Sequence, residues 1–173
     1  MSRLFSRLIT FGCTAIIIAA PLAALYFLTD IAQFARWARS SLSLPIQWHT
    51  VSDTQWHCLW LLSTAYLAIG LAGLYFLRRA FANFAKGELF NQRNSQDLRR
   101  FAILLFAQGL AKPLHFSLAS MLLSLNHTAG QKMLSVSVGS AEVKVIALAM
   151  MLWVISDLLV KASQLDNENK QFV

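Results

Sequence analysis

Four long apolar stretches divide the chain, at about residues 8–28, 58–77, 101–125 and 143–160. A helix rises 1.5 Å per residue, so about 20 residues cross a hydrocarbon layer about 30 Å thick, and each stretch predicts a transmembrane helix. Pro21 lies inside the first and removes a backbone hydrogen bond there, which predicts a kink. Ala15, Ala19 and Ala23, with Ala20 and Ala24, recur every fourth residue and are expected to offer smooth strips to another helix. Ala65, Ala68, Gly70, Ala72 and Gly73 are expected to do the same in the second run.

The connections carry their own patterns. Ile31, Phe34, Ala35 and Ala38 follow the spacing of one helical face, which predicts a short interfacial helix ending at Pro45. Ile46, Trp48 and Thr50 alternate with polar residues, as do Leu134, Val136 and Val138 with Ser135 and Ser137. Period-two alternation reads as strand, and the two segments are expected to pair as a small cap on one side of the membrane. Between the second and third runs the helical pattern continues to Gly87, a residue that ends helices readily, and Asn91 can cap the next. Residues 78–100 therefore predict a helical hairpin projecting from the membrane, and 161–173 a polar tail. The expected fold is an all-α integral membrane protein: one membrane domain over residues 1–173, a four-transmembrane-helix bundle with short extracytoplasmic segments.

Composition agrees with that class. Hydrophobic residues make up 57% and charged residues 13% of the chain, and mean hydropathy is +0.53. An ordinary soluble domain carries about 25% charged residues. The net charge of +7 reports topology more than partners. With the N-terminus inside, the cytoplasmic side receives Arg3, Arg7, Arg78, Arg79, Lys86, Arg93, Arg99, Arg100, Lys161 and Lys170; the other side receives Arg36, Arg39, Lys132 and Lys144. The positive-inside rule then predicts a multi-pass protein of a bacterial inner membrane with both termini cytoplasmic. Cys13 and Cys58 lack metal-ligand spacing and are expected at different depths, so they indicate neither a metal site nor a disulfide.

Polar residues at membrane depth are costly and so mark candidate chemistry. Gln108, Lys112 and His115 share one stripe of the third helix, and Asp157 is the candidate carboxylate partner for Lys112. One reading is a proton or ion relay, as in a small oligomeric transporter or channel. The other is a structural tie for Lys112, with Asp157 satisfied by Lys161 one turn on. The chain has no H-E-x-x-H, G-x-S-x-G or P-loop pattern and no pair of histidines placed for haem, so neither an enzyme nor a cofactor is expected. The basic hairpin suits anionic lipid headgroups, to which each Lys or Arg contributes about 1 kcal/mol. It also suits a cytoplasmic protein, because Phe84, Leu89 and Phe90 beside Arg93 supply apolar anchors that headgroups do not require. No base-reading module is present, so direct nucleic-acid binding is not expected.

The run Phe84-Ala85-Lys86-Gly87-Glu88-Leu89-Phe90, followed by Asn94, Leu98 and Arg99, resembles the signature of the bacterial domain of unknown function family 2975. The tail from Gln164 to Phe172-Val173 is similar to that family's as well, while Arg100-Phe101 departs from the small or apolar residue and glycine expected after the Leu-Arg pair. The resemblance implies a four-span inner-membrane protein with no assigned reaction, and it makes small helix-turn-helix regulators candidate partners. It also implies a structural turn and cap at Gly87, Phe90, Asn94 and Arg99. The leading functional expectation is a non-enzymatic adaptor or signalling protein acting through hairpin and tail.

Overall fold

A computed structural model describes residues 3–42, 44, 46–86, 92–128 and 131–171. It contains five α-helices: α1 (Arg3–Thr29), α2 (Ile31–Leu42), α3 (Asp53–Ala85), α4 (Gln92–Leu123) and α5 (Ser140–Gln171). Four of them, all but α2, are long and apolar enough to cross a membrane. Leu114, Leu118 and Met121 on α4, and Met151, Val154 and Leu158 on α5, lie exposed, as side chains facing lipid do.

The spanning helices neighbour one another in chain order. α1 packs on α3, α3 on α4 and α4 on α5, whereas α1 meets neither α4 nor α5 among the described residues. At Gly109 the α4 backbone comes so close to α5 that an added Cβ would lie 2.9 Å from Ile146 Cγ1. The alanine strip of α1 does not serve as a helix–helix seam along its whole length: Ala20, Ala23 and Ala24 line a cavity.

α2 is the amphipathic helix its spacing predicts, burying Phe34, Ala35 and Ala38. Arg39 holds it down, its guanidinium 5.9 and 5.5 Å from the stacked rings of Trp48 and Trp56. These residues join Leu59, Ala119 and Leu123 in a core at the α2 end of the molecule. α3 begins earlier than its apolar run because Ser52 and Gln55 form a capping box, with Ser52 N–H donating to Gln55 Oε1 at 2.8 Å. Buried Gln55 then donates to the Leu122 carbonyl at 2.7 Å, tying the start of α3 to the end of α4.

The two-stranded cap does not form: no strand occurs among the described residues. Trp48–Thr50 is a 3₁₀ turn, and the other segment finds a helix as its partner instead of a strand. Met133 N–H donates to Ser124 Oγ at 3.0 Å and Ser135 N–H to Ser120 Oγ at 2.9 Å. Four helical residues advance about 6 Å and two extended ones about 6.6 Å, so serines one turn apart match alternate amides of an extended chain. Gln47 Nε2 donates to Gln131 Oε1 at 3.0 Å, a side-chain link between the two segments that were expected to pair.

At the opposite end, α3 and α4 approach the hairpin turn. Gly87, Leu89, Phe90 and Asn91 lie outside the described residues, as does Pro45. Residues 161–171 continue α5 as helix, so most of the expected tail is helical.

Candidate functional site

α4 carries the polar stripe, and its neighbours decide what each residue meets. Gln108 lies against Gly70 of α3, where a Cβ would come within 2.6 Å of the Gln108 amide nitrogen. A side chain at that point would have to displace the Gln108 amide, the flexible end of its side chain. His115 Nε2 is 3.2 Å from Ser63 Oγ, and its ring centroid is 5.1 Å from that of Tyr66. Lys112 Nζ forms an ion pair with Glu142 in the first turn of α5. The Glu142 carboxylate also accepts the Gly139 N–H at 2.7 Å. Lys112 is half exposed while Glu142 is buried, so the carboxylate is the group that depends on its partner.

Asp157 does not join this cluster. It lies 3.8 Å from Arg99, near the other end of α5, and Arg99 also stacks on Trp153 at 5.6 Å. The separation from Glu142 is about 22 Å along the helix, and Lys161 is not among its ion-pair partners. The cause is the antiparallel register of α4 and α5. That register sets Arg99 beside Asp157 and Gly109 beside Ile146, and so brings Lys112 to the start of α5. A signal for Glu142 was present in the sequence. The fourth apolar run, 143–160, is shorter than the third, 101–125, so with their hairpin ends aligned the fourth must begin well below the end of its neighbour.

Around the cluster lies a cavity of about 830 Å³. α1 contributes Ala20, Ala23, Ala24 and Phe27, and α2 covers it with Phe34 and Trp37. Ser63 and Tyr66 of α3, Gln108, Lys112 and His115 of α4, and Glu142 of α5 form its polar side. Trp60 closes one wall, its indole N–H donating to the Ala24 carbonyl at 2.9 Å. No group of three or more His, Cys, Asp or Glu side chains suited to a metal occurs among the described residues.

The hairpin end is held by polar bonds. Fully buried Asp97 accepts from Arg79 Nε at 2.6 Å and lies 3.7 Å from Arg100. Asn83 donates to Asn94 at 2.6 Å. Arg78 donates to Thr14 of α1 at 2.7 Å. Phe84 packs edge-on against Phe81 at 5.4 Å, and Arg93 is exposed. Reading the sequence did not single out Asp97 or Asn83 as partners. In a helical hairpin, residues at similar distances from the turn face one another, and Arg79 with Asp97 satisfies that condition about the turn near Gly87.

Four apolar spans in chain order, a polar cluster lining a cavity and a basic hairpin define a multi-pass helical membrane protein. Residues 13–173 match the model of the family described as Protein of unknown function (DUF2975), and the chain belongs to that family. No curated protein and no solved structure matches it.

Proposed function

We propose that the protein is a non-enzymatic adaptor of a bacterial inner membrane that holds a cytoplasmic protein on its basic hairpin. The observation that supports this is the locked hairpin itself. Beyond the arginines at 78, 79, 99 and 100, α3 and α4 continue about 10 Å as a pair fastened by Arg79–Asp97 and Asn83–Asn94. α5 runs about 21 Å beyond Asp157. A lipid-binding segment does not need such cross-bracing, since headgroups adapt to it; a docking surface does, because fixed anchors avoid the entropy cost of ordering on contact. The net positive charge of residues 78–100 selects an acidic partner surface. A small helix-turn-helix regulator suits that description, with its DNA-binding face left free.

Crosslinking capture from native membranes, quantified by mass spectrometry, tests the proposal. Replacing Phe84, Leu89, Phe90 and Arg93 with alanine is expected to remove one cytoplasmic protein from those captured by the wild type. If every captured protein is retained at the wild-type level, the hairpin is not the docking site.

The transport reading has less support. A relay needs successive titratable groups, and the carboxylate that was to continue it, Asp157, is held by Arg99 about 22 Å from Glu142.

A further inference from the structure

The cavity at the α2 end takes no part in the docking proposed above, and its chemistry defines a ligand. We propose that it binds one uncharged amphiphile drawn from the bilayer, with an apolar chain and a carbonyl-bearing head. Its volume, about 830 Å³, lies within the range of small-molecule pockets, roughly 300–1,000 Å³. Since α1 and α5 do not pack on one another, the side of the cavity between them faces lipid, so a ligand can enter without crossing water. The α1 wall is smooth at Ala20, Ala23 and Ala24, and Phe27, Phe34 and Phe116 complete an apolar lining for a chain.

The head is specified by charge and by donors. Lys112 and Glu142 cancel, so an anionic or cationic head would leave one uncompensated charge in a region of low dielectric. An uncharged head avoids that cost. Lys112 and Glu142 both line the cavity, but the Lys112 side chain is 54% exposed and Glu142 only 7%, so Lys112 presents more of its surface, and its ammonium has N–H donors beyond the one engaged with Glu142. Tyr66 lines the same side. A carbonyl oxygen is the complementary group. Both an ester-headed lipid, such as a monoacylglycerol, and a chain-bearing quinone present one.

Binding to the purified full chain in detergent micelles tests this, with the fluorescence of Trp37 and Trp60, both in the cavity wall, as the signal. The probes are 1-oleoylglycerol, a decyl-substituted benzoquinone, oleate and oleylamine. At least one of the two uncharged probes is expected to saturate at one per chain and to bind at least about tenfold more tightly than oleate or oleylamine. The uncharged probe that binds identifies the source as the ester lipids or the quinone pool. The paired variant Lys112→Met with Glu142→Gln keeps the site neutral while removing the ammonium, and is expected to weaken binding about tenfold or more. Ala23→Leu, a smaller change that fills the apolar part, is expected to weaken it as well. Equal or tighter binding of oleate or oleylamine, or no saturable binding of either uncharged probe by the folded wild type, would overturn the proposal. The readout requires no cytoplasmic partner, so it stands or falls apart from the docking reading.

Discussion

Two glycines show how single residues set this architecture, and why they differ. At Gly109 a methyl group would meet Ile146 Cγ1 at 2.9 Å, a methylene one bond from the branched Cβ and so held close to the α5 backbone. At Gly70 the group in the way is the terminal amide of Gln108, which can swing aside. Alanine gains up to about 1 kcal/mol in helix propensity at either position. Overpacking costs about 1–3 kcal/mol where the neighbour cannot yield. Gly109→Ala is therefore expected to lower stability, and Gly70→Ala to leave it near the wild type while displacing Gln108. Unfolding of the purified protein in mixed micelles measures both, and no loss in Gly109→Ala would show that α4 and α5 separate more readily than their contact implies. The polar residues divide in the same way. Gln108, Lys112 and His115 were legible in the sequence because charge or amide at membrane depth is rare. Glu142, at the edge of an apolar run, did not stand out in that way, and the signal that places it near Lys112 is the shorter length of the fourth run beside the third.

At the scale of elements, the spans and the amphipathic α2 were legible because helical periodicity and run length are local properties. The strand expected over 133–138 is an extended chain without a strand partner. Its alternation is genuine, with Leu134, Val136 and Val138 outward and Met133 and Ser135 turned to α4. Period two reports an extended chain, but it does not say what pairs with that chain, and here two serines of a helix satisfy the amides. A test follows from those bonds. Ser120→Ala with Ser124→Ala removes both acceptors, at about 0.5–1.5 kcal/mol each. Hydrogen exchange at the amides of Met133 and Ser135 is expected to accelerate about tenfold, while the exchange of α4 itself is unchanged. Unchanged exchange at both amides would mean that the segment is held by something other than the serines.

For the whole molecule, the polar features separate toward two ends. The cavity, with α2 over it, occupies one end; the arginines, the buried Asp97 and the locked hairpin occupy the other. α4 joins them, carrying Lys112 toward the cavity and Arg99 and Asp97 toward the hairpin, about 20 Å apart along one helix. Helix order was not legible in the sequence. Hydrophobic strips say which residues avoid water, whereas the separation of α1 from α5 arises from which neighbours fit most closely. The family match over residues 13–173 establishes membership. The docking proposal depends on the hairpin facing the cytoplasm, and thiol labelling of intact spheroplasts decides that directly. In a chain carrying Cys13→Ala and Cys58→Ala, one variant adds Lys86→Cys at the hairpin and another adds Trp37→Cys, an exposed position of α2. With a membrane-impermeant maleimide, the α2 variant is expected to react in intact spheroplasts and the hairpin variant only after lysis. Labelling of the hairpin variant from outside would reverse the orientation and contradict docking of a cytoplasmic protein there.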